Sequence, residues 1–192
     1  MGREFELKFS ATPQIHQAVE EIYGPFETIT METTYFDTPD GALAARFVTL
    51  RQRLENGVRV CTVKTPLADG SKGEWEICWD EPATMVEKLC QAGAPADLLA
   101  WTKNGIVAIC GARFTRRAKT VVCPGGSVEL ALDAGVLLGG GREIPLCELE
   151  VELKSGDDAV AEAFAAQIAK EFDLKPERRS KFRRAQLLAK GE

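Results

Sequence analysis

Histidine is almost absent from this sequence: among 192 residues there is one, His16. A multi-histidine metal site is excluded by that count. A histidine-based triad is set aside as well, because His16 falls in a predicted helix and reads as exposed and idle. Paired cysteines are missing. Cys61, Cys78, Cys90, Cys110, Cys123 and Cys147 are scattered with no CxxC spacing, which argues against a zinc site and a dense disulfide framework. Reduced thiols in a cytoplasmic protein are the expectation. No apolar run approaches the roughly 20 residues that span a bilayer. The N-terminus, Met1-Gly2-Arg3-Glu4, leads into a charged pattern without the apolar core of a signal peptide. Positive charge is in deficit, 24 Lys and Arg against 29 Asp and Glu, for a net charge of −5. Neither a membrane nor nucleic acid is therefore expected as a partner. A local anion site remains open, since local charge can oppose the net.

What is present is a globular composition, 45% hydrophobic and 28% charged, of a length for one domain. Residues 3–9 alternate strictly, with Phe5, Leu7 and Phe9 opposite Glu4, Glu6 and Lys8, the period of a strand. Thr12-Pro13 reads as the cap and first turn of a helix that stops at Gly24-Pro25. Strands are predicted over 30–37, 47–54 and 58–65, the last two joined at Asn56-Gly57, a hairpin signal. Another covers 73–80, and an irregular helical stretch covers 82–101. Strands follow near 105–110 and over 113–122, 127–133 and 146–154, with a turn at Gly139-Gly140-Gly141. An Ala-rich helix over 158–172, capped at Asp157, is broken by Pro176, and a last helix covers roughly 180–190. The class is α+β with a mostly antiparallel sheet, and about eight strands suffice to close a barrel.

The polar faces of these strands carry the argument. One face presents Glu4, Glu6 and Lys8, another Arg51 and Arg53, another Glu74 and Glu76, another Glu129 and Asp133, and another Glu148, Glu150, Glu152 and Lys154. Arg113, Arg116, Arg117 and Lys119 crowd one strand, and Lys64 ends a hairpin. A single such face would read as a solvated sheet surface. Like charges at i and i+2 repel, however, and the opposite faces are apolar enough to need covering. A sheet curled with its charges inward would hold a polyanion together with divalent cations. Arginine forks suit phosphate oxygens, and clustered carboxylates suit Mg²⁺ or Mn²⁺. Phosphoryl transfer needs positioning, charge neutralisation and an oriented water, all of which this set could supply.

Glu4-Phe5-Glu6-Leu7-Lys8 is an ExExK motif, and with it the chain resembles the CYTH, or triphosphate tunnel metalloenzyme, superfamily. Tyr35-Phe36-Asp37-Thr38, Leu50-Arg51-Gln52-Arg53, Thr62-Val63-Lys64, Gly73-Glu74-Trp75-Glu76, Arg113 to Arg117, Glu129 to Asp133, Glu148 to Glu152 and Ser180-Lys181 resemble the same family in the same order. The likeness is to bacterial inorganic triphosphatases, including CYTH domains that precede a helical CHAD domain. It implies an eight-stranded antiparallel β-barrel with flanking helices, a single CYTH domain over 1–192 whose C-terminal helices, roughly 157–190, pack on the barrel. It also implies metal-dependent hydrolysis of inorganic or another triphosphate. Lys8, Arg51, Arg53, Lys64 and Arg116 would hold the substrate. Arg113 or Arg117 is an alternative to Arg116, and Lys181 would help close the tunnel. Glu4, Glu6, Glu148 and Glu150 would hold Mg²⁺ or Mn²⁺, with Glu74, Glu76 and Asp133 assisting and Lys8, Glu4 and Glu6 essential to turnover. Which of Glu148, Glu150 and Glu152 binds metal stays open. A CHAD domain enters as a candidate partner in a longer parent chain, which here stops after its last helix.

Two other functions share this charge set. An adenylate cyclase of the same fold would use the same grip on ATP, and a non-catalytic module would merely bind polyphosphate. Trp75 and Trp79, at i and i+4 on an apolar face, read as core, as do Cys61, Cys78 and Cys147. Tyr35 fits a core or a tunnel mouth equally. Arg178, Arg179, Arg183 and Arg184 read as a solvated helix face.

Overall fold

A computed structural model describes residues 2–67 and 72–192, with side chains from Phe5 onward. Ten strands form one antiparallel sheet. They are β1 (Gly2–Glu4), β2 (Glu6–Ser10), β3 (Glu27–Asp37), β4 (Thr49–Glu55), β5 (Val58–Pro66), β6 (Lys72–Cys78), β7 (Val107–Cys123), β8 (Gly126–Gly139), β9 (Arg142–Ser155) and β10 (Lys175–Pro176). Their order is β1-β6-β5-β4-β3-β7-β8-β9-β2-β10. The alternating run at the N-terminus, expected as one strand, is split at Phe5. Residues 2–4 pair with β6 and residues 6–10 with β9. No ladder joins β1 to β2, so the hydrogen-bonded sheet is open in the strict sense. The covalent chain through Phe5 nevertheless links β1 at one edge to β2 near the other, and the wall so formed has the eight strands expected, with β1 and β2 counted as one and the two-residue β10 left as an addition beside β2.

Among the described residues there are five α-helices: α1 (Pro13–Tyr23), α2 (Met85–Gln91), α3 (Asp97–Trp101), α4 (Asp158–Glu171) and α5 (Lys181–Lys190). None among the described residues is long and apolar enough to cross a membrane. Their placement follows the strand alternation. The outward residues of β2, β8 and β9, Phe9, Leu130, Leu132, Leu149 and Val151, are buried with Val19 of α1 and Phe164 and Ile168 of α4. Those of β4 to β6, Leu50, Cys61, Val63 and Trp75, are buried with Met85, Leu89 and Leu98 from α2 and α3. Trp75 is thus core, as expected, with Trp79 packed against it. Cys61 is buried too, whereas Cys78 is exposed, because it shares the parity of Glu74 and Glu76 at the end of β6.

α5 differs from the others. Ala185 is buried with Met31, Ala112, Phe114, Leu137 and Leu146, all on the inward parity of their strands, so α5 packs on the concave side. Gly139 makes this approach possible. A Cβ there would lie 2.5 Å from the Ala185 carbonyl oxygen and 2.7 Å from the Ala189 nitrogen. Ser180 caps the helix, its hydroxyl accepting from the Arg183 amide at 3.1 Å, which fixes Lys181 as the first helical residue, at the inner end.

The predicted strands near 105–110 and over 113–122 are one strand, β7. Gly111 reads as a break, but it pairs with both Thr34 and Leu138. Its missing side chain serves a close crossing, since a Cβ would lie 2.7 Å from the Thr33 carbonyl oxygen. The irregularity sits beside it, where the register shifts between Tyr35 and Phe36. The hairpin at Asn56-Gly57 is as expected, with φ of 46° and 91°, the mirror-image turn that this dipeptide favours.

Candidate active site

The concave face encloses a cavity of about 550 Å³. The pleat delivers its lining. Every second residue of each strand points inward, and register places those residues side by side. Lys8 lies opposite Glu150, and Glu6 opposite Glu152. Glu152 lies opposite Glu129, and Arg116 opposite Asp133, which faces Glu148 in turn.

Of the cations expected from sequence, Lys8, Arg51, Arg53, Lys64, Arg116 and Lys181 all line the cavity. Arg113 does not. It has the opposite parity to Arg116, lies outside the wall and pairs with Glu143 at 2.7 Å, both side chains about half exposed. Arg117 is outside too, paired with Glu20 of α1. Parity along β7 thus separates Arg116 from Arg113 and Arg117, and the pairing that sets Arg116 opposite Asp133 identifies the inward parity. Of the expected acids, Glu6, Glu74, Glu76 and Glu150 line the cavity. Glu148 and Asp133 lie deeper and are fully buried. The side chain of Glu4 falls outside the described residues. The sequence reading missed Lys72, although it shares the parity of Glu74. It also missed Arg184, although its spacing of three from Lys181 puts both on one helix face.

Two sub-sites emerge. On the β4 wall Arg51 and Arg53 stand two residues apart on one face. Arg51 is 3.6 Å from Glu74, and Arg53 pairs with Glu55 at 2.7 Å. The Nε atoms of both arginines are buried without a hydrogen-bond partner, as is the Thr33 hydroxyl. Burial, followed by the neighbouring Arg51, pushes the Arg53 guanidinium below its usual range. Two desolvated like charges with unused donors are costly unless an anion joins them.

On the β8–β9 wall Asp133, Glu148 and Glu150 each offer an oxygen within 4.8 Å of the others. Hard oxygen donors so grouped fit Mg²⁺ or Mn²⁺ in chemistry. Here a cation of the chain lies among them. The Lys181 ammonium is 2.8 Å from Asp133, 2.6 Å from Glu148 and 2.7 Å from Glu150. Arg116 forks onto Asp133 at 2.8 Å through both Nε and Nη2 and also contacts Glu150, while Arg184 contacts Glu148. Burial alone would raise the Glu150 carboxyl, but Lys181 and Arg116 outweigh it and hold the group well below the carboxylate range. The ammonium donates to Glu150 and stands at ion-pair distance from Asp133 and Glu148, whose Oε2 is buried without a hydrogen-bond partner. In this arrangement Lys181 is turned to the carboxylates.

His16 is not idle. It is 1% exposed, its Nε2 lies 2.9 Å from the Glu148 carbonyl oxygen and its Nδ1 lies 3.3 Å from Arg117. It supports β9 from behind. Burial above all lowers its pKa from the ordinary 6.5. A base so depressed contributes stability that is full above pH 6.5 and is lost as pH falls through the folded value, because the unfolded chain takes the proton first. Thermal melts from about pH 8 to about pH 5 should show Tm declining on the acid side, and His16→Gln should flatten that part of the curve. An unchanged slope in the variant would remove His16 from the explanation. Tyr35 is also settled. Only 4% exposed, it lines the cavity and packs on Phe182 with ring centroids 5.2 Å apart.

Set against known proteins, the sequence matches the CYTH domain profile over residues 2–185. It is 28% identical over 197 residues to an inorganic triphosphatase of Haemophilus influenzae, an alignment covering 98% of this chain and 55% of that protein. The chain thus spans about half the length of that curated relative. Among solved structures, the HpAC1 protein of Hippeastrum, described as having a dominant triphosphatase activity, superposes with a TM-score of 0.68 at 22% identity, covering 100% of this chain and 97% of that one. The PH1819 protein of Pyrococcus horikoshii OT3 gives a TM-score of 0.66 at 25% identity, over 98% and 99% of the two chains. These likenesses bear out the α+β fold with its antiparallel sheet.

Proposed function

Since the chain belongs to the CYTH domain family, we propose that it hydrolyses inorganic triphosphate to diphosphate and phosphate in this cavity, with Mg²⁺ or Mn²⁺. The observation that carries this reading is the pair Arg51 and Arg53, side by side on one face with buried, unpartnered Nε donors. A condensed phosphate chain is the anion whose repeated oxygens match such a row, with Lys64 on the adjacent strand and Lys8 and Arg116 elsewhere on the cavity wall.

The substrate is gripped by Lys8, Arg51, Arg53, Lys64 and Arg116. Water attacks the terminal phosphorus as the bridging P–O bond breaks, and the charge that develops on the departing diphosphate falls to the arginines. Glu74 and Glu76, on the strand beyond Lys64, would orient the water and take its proton. Glu6, Glu148, Glu150 and Asp133 would hold the divalent cation, which when bound neutralises phosphate charge and acidifies water.

The runner-up, an adenylate cyclase, needs a slot for a base. The cavity does have an apolar side, formed by Met31, Tyr35, Phe114 and Phe182. Met31 and Phe114 are, however, buried with Ala185 of α5, and the buried Tyr35 packs on Phe182, which favours the smaller inorganic substrate. Inorganic triphosphate, thiamine triphosphate and ATP tested side by side should give the fastest phosphate release from the first, without cyclic AMP from ATP. Cyclic AMP as the main product from ATP would overturn the reading.

A further inference from the structure

The place of Lys181 in the carboxylate trio has a consequence for how a divalent cation could enter. Mg²⁺ or Mn²⁺ binds carboxylate oxygens at about 2.1 Å. The ammonium uses the same three oxygens at 2.6–2.8 Å. Both cations would need the same point in space. We propose that Lys181 is a tethered counter-ion holding the place of the divalent cation among Asp133, Glu148 and Glu150, and that entry of the cation frees the ammonium for the triphosphate and undocks the first turn of α5. The proposal rests on reading the cavity as a metal-dependent triphosphate site.

Three features make the exchange workable. First, Asp133 and Glu150 are held by Arg116 of β7, independently of α5, so two of the three ligands stay aimed when the ammonium leaves. Second, the freed side chain stays at the cavity, because Ser180, Lys181 and Phe182 line it. Third, the rest of α5 is anchored elsewhere, by Ala185 in the inner core and by the close crossing at Gly139, which confines the movement to the first turn.

Charge couples the two ligands. Three carboxylates against one ammonium and two guanidiniums sum to zero. Replacing the ammonium by a divalent cation leaves that cluster at +1 and adds a free +1 to the cavity. A triphosphate cancels the excess, so cation and anion each favour the other's binding, and by linkage do so equally.

Mn²⁺ binding to the full chain, followed by the EPR signal of the free ion, tests the exchange. Lys181→Met should bind Mn²⁺ roughly ten-fold more tightly than wild type without any anion, a coupling of ordinary size. It should also lose the gain that triphosphate gives the wild type. Equal or weaker binding by the variant would overturn the proposal. Should the variant fail to fold, hydrogen exchange on the wild type decides. The Arg183 and Arg184 amides, bonded to the Ser180 hydroxyl and carbonyl, should exchange faster in saturating Mn²⁺ than in EDTA, and unchanged exchange overturns the idea. Phosphate release from the same samples separates the two readings. Turnover with an undisturbed α5 sinks the exchange and spares the triphosphatase. A loosened α5 without turnover supports the exchange and sinks the triphosphatase.

Discussion

Arg53→Met should lower kcat/KM for inorganic triphosphate by about 10²–10³ while leaving Tm unchanged or raised. The two effects have opposite signs for one physical reason. Arg53 is nearly buried, its side chain 12% exposed, and burial and Arg51 both disfavour its charge. A base whose folded pKa is depressed costs stability whenever it is carried charged, so removing it relieves the fold. The pair with Glu55 offsets little, because that carboxylate is 31% exposed. Methionine keeps most of the volume. In the transition state the same charge neutralises the departing diphosphate, and losing one such donor is worth that drop in rate. Melting and steady-state kinetics on the one variant decide. A large fall in Tm would make Arg53 a structural residue, and full activity would remove it from the grip.

Glu150→Ala should behave in the opposite way, with a loss of about 3–5 kcal/mol in denaturant unfolding. Glu150 is 6% exposed and bonds Lys181 at 2.7 Å as well as Arg116. Truncation leaves two buried cations short of a partner, which is far worse than replacing the whole network by apolar groups. The pH dependence carries the same sign. With its folded pKa depressed below the ordinary 4.5, Glu150 contributes stability that is present above that value and is lost as pH falls through the folded one. Acid unfolding of the wild type should therefore steepen below about pH 4.5, and the variant should lack that component. A loss under about 1 kcal/mol would mean that the network is solvated and not buried.

Much of this site was legible in the sequence because strand alternation is local. Glu6 and Lys8, Arg51 and Arg53, and Glu74 and Glu76 sit at i and i+2, and a period of two assigns a face without knowledge of the partner strand. Legibility stopped where the answer lay in something non-local. Arg113, Arg116 and Arg117 already differed in parity within one predicted strand, but which parity faces inward could be read only from the partner strand, where Arg116 lies opposite Asp133. His16 looked idle because nothing in its helix shows that α1 lies behind β9. Arg184 looked like part of a solvated helix face, since helices usually cover a barrel from outside, and only the close crossing at Gly139 reveals that α5 packs inside. The depth of Asp133 and Glu148, which share a face with Glu129 and Glu150, depends on that same helix.

The most direct measurement is phosphate release from inorganic triphosphate by the purified chain, with Mn²⁺ or Mg²⁺ and again with excess EDTA. Turnover with metal and a fall of at least about a thousand-fold on chelation, as the loss of several kcal/mol of charge stabilisation requires, is the expected result. Equal release with and without EDTA, or no release under any condition, would contradict it.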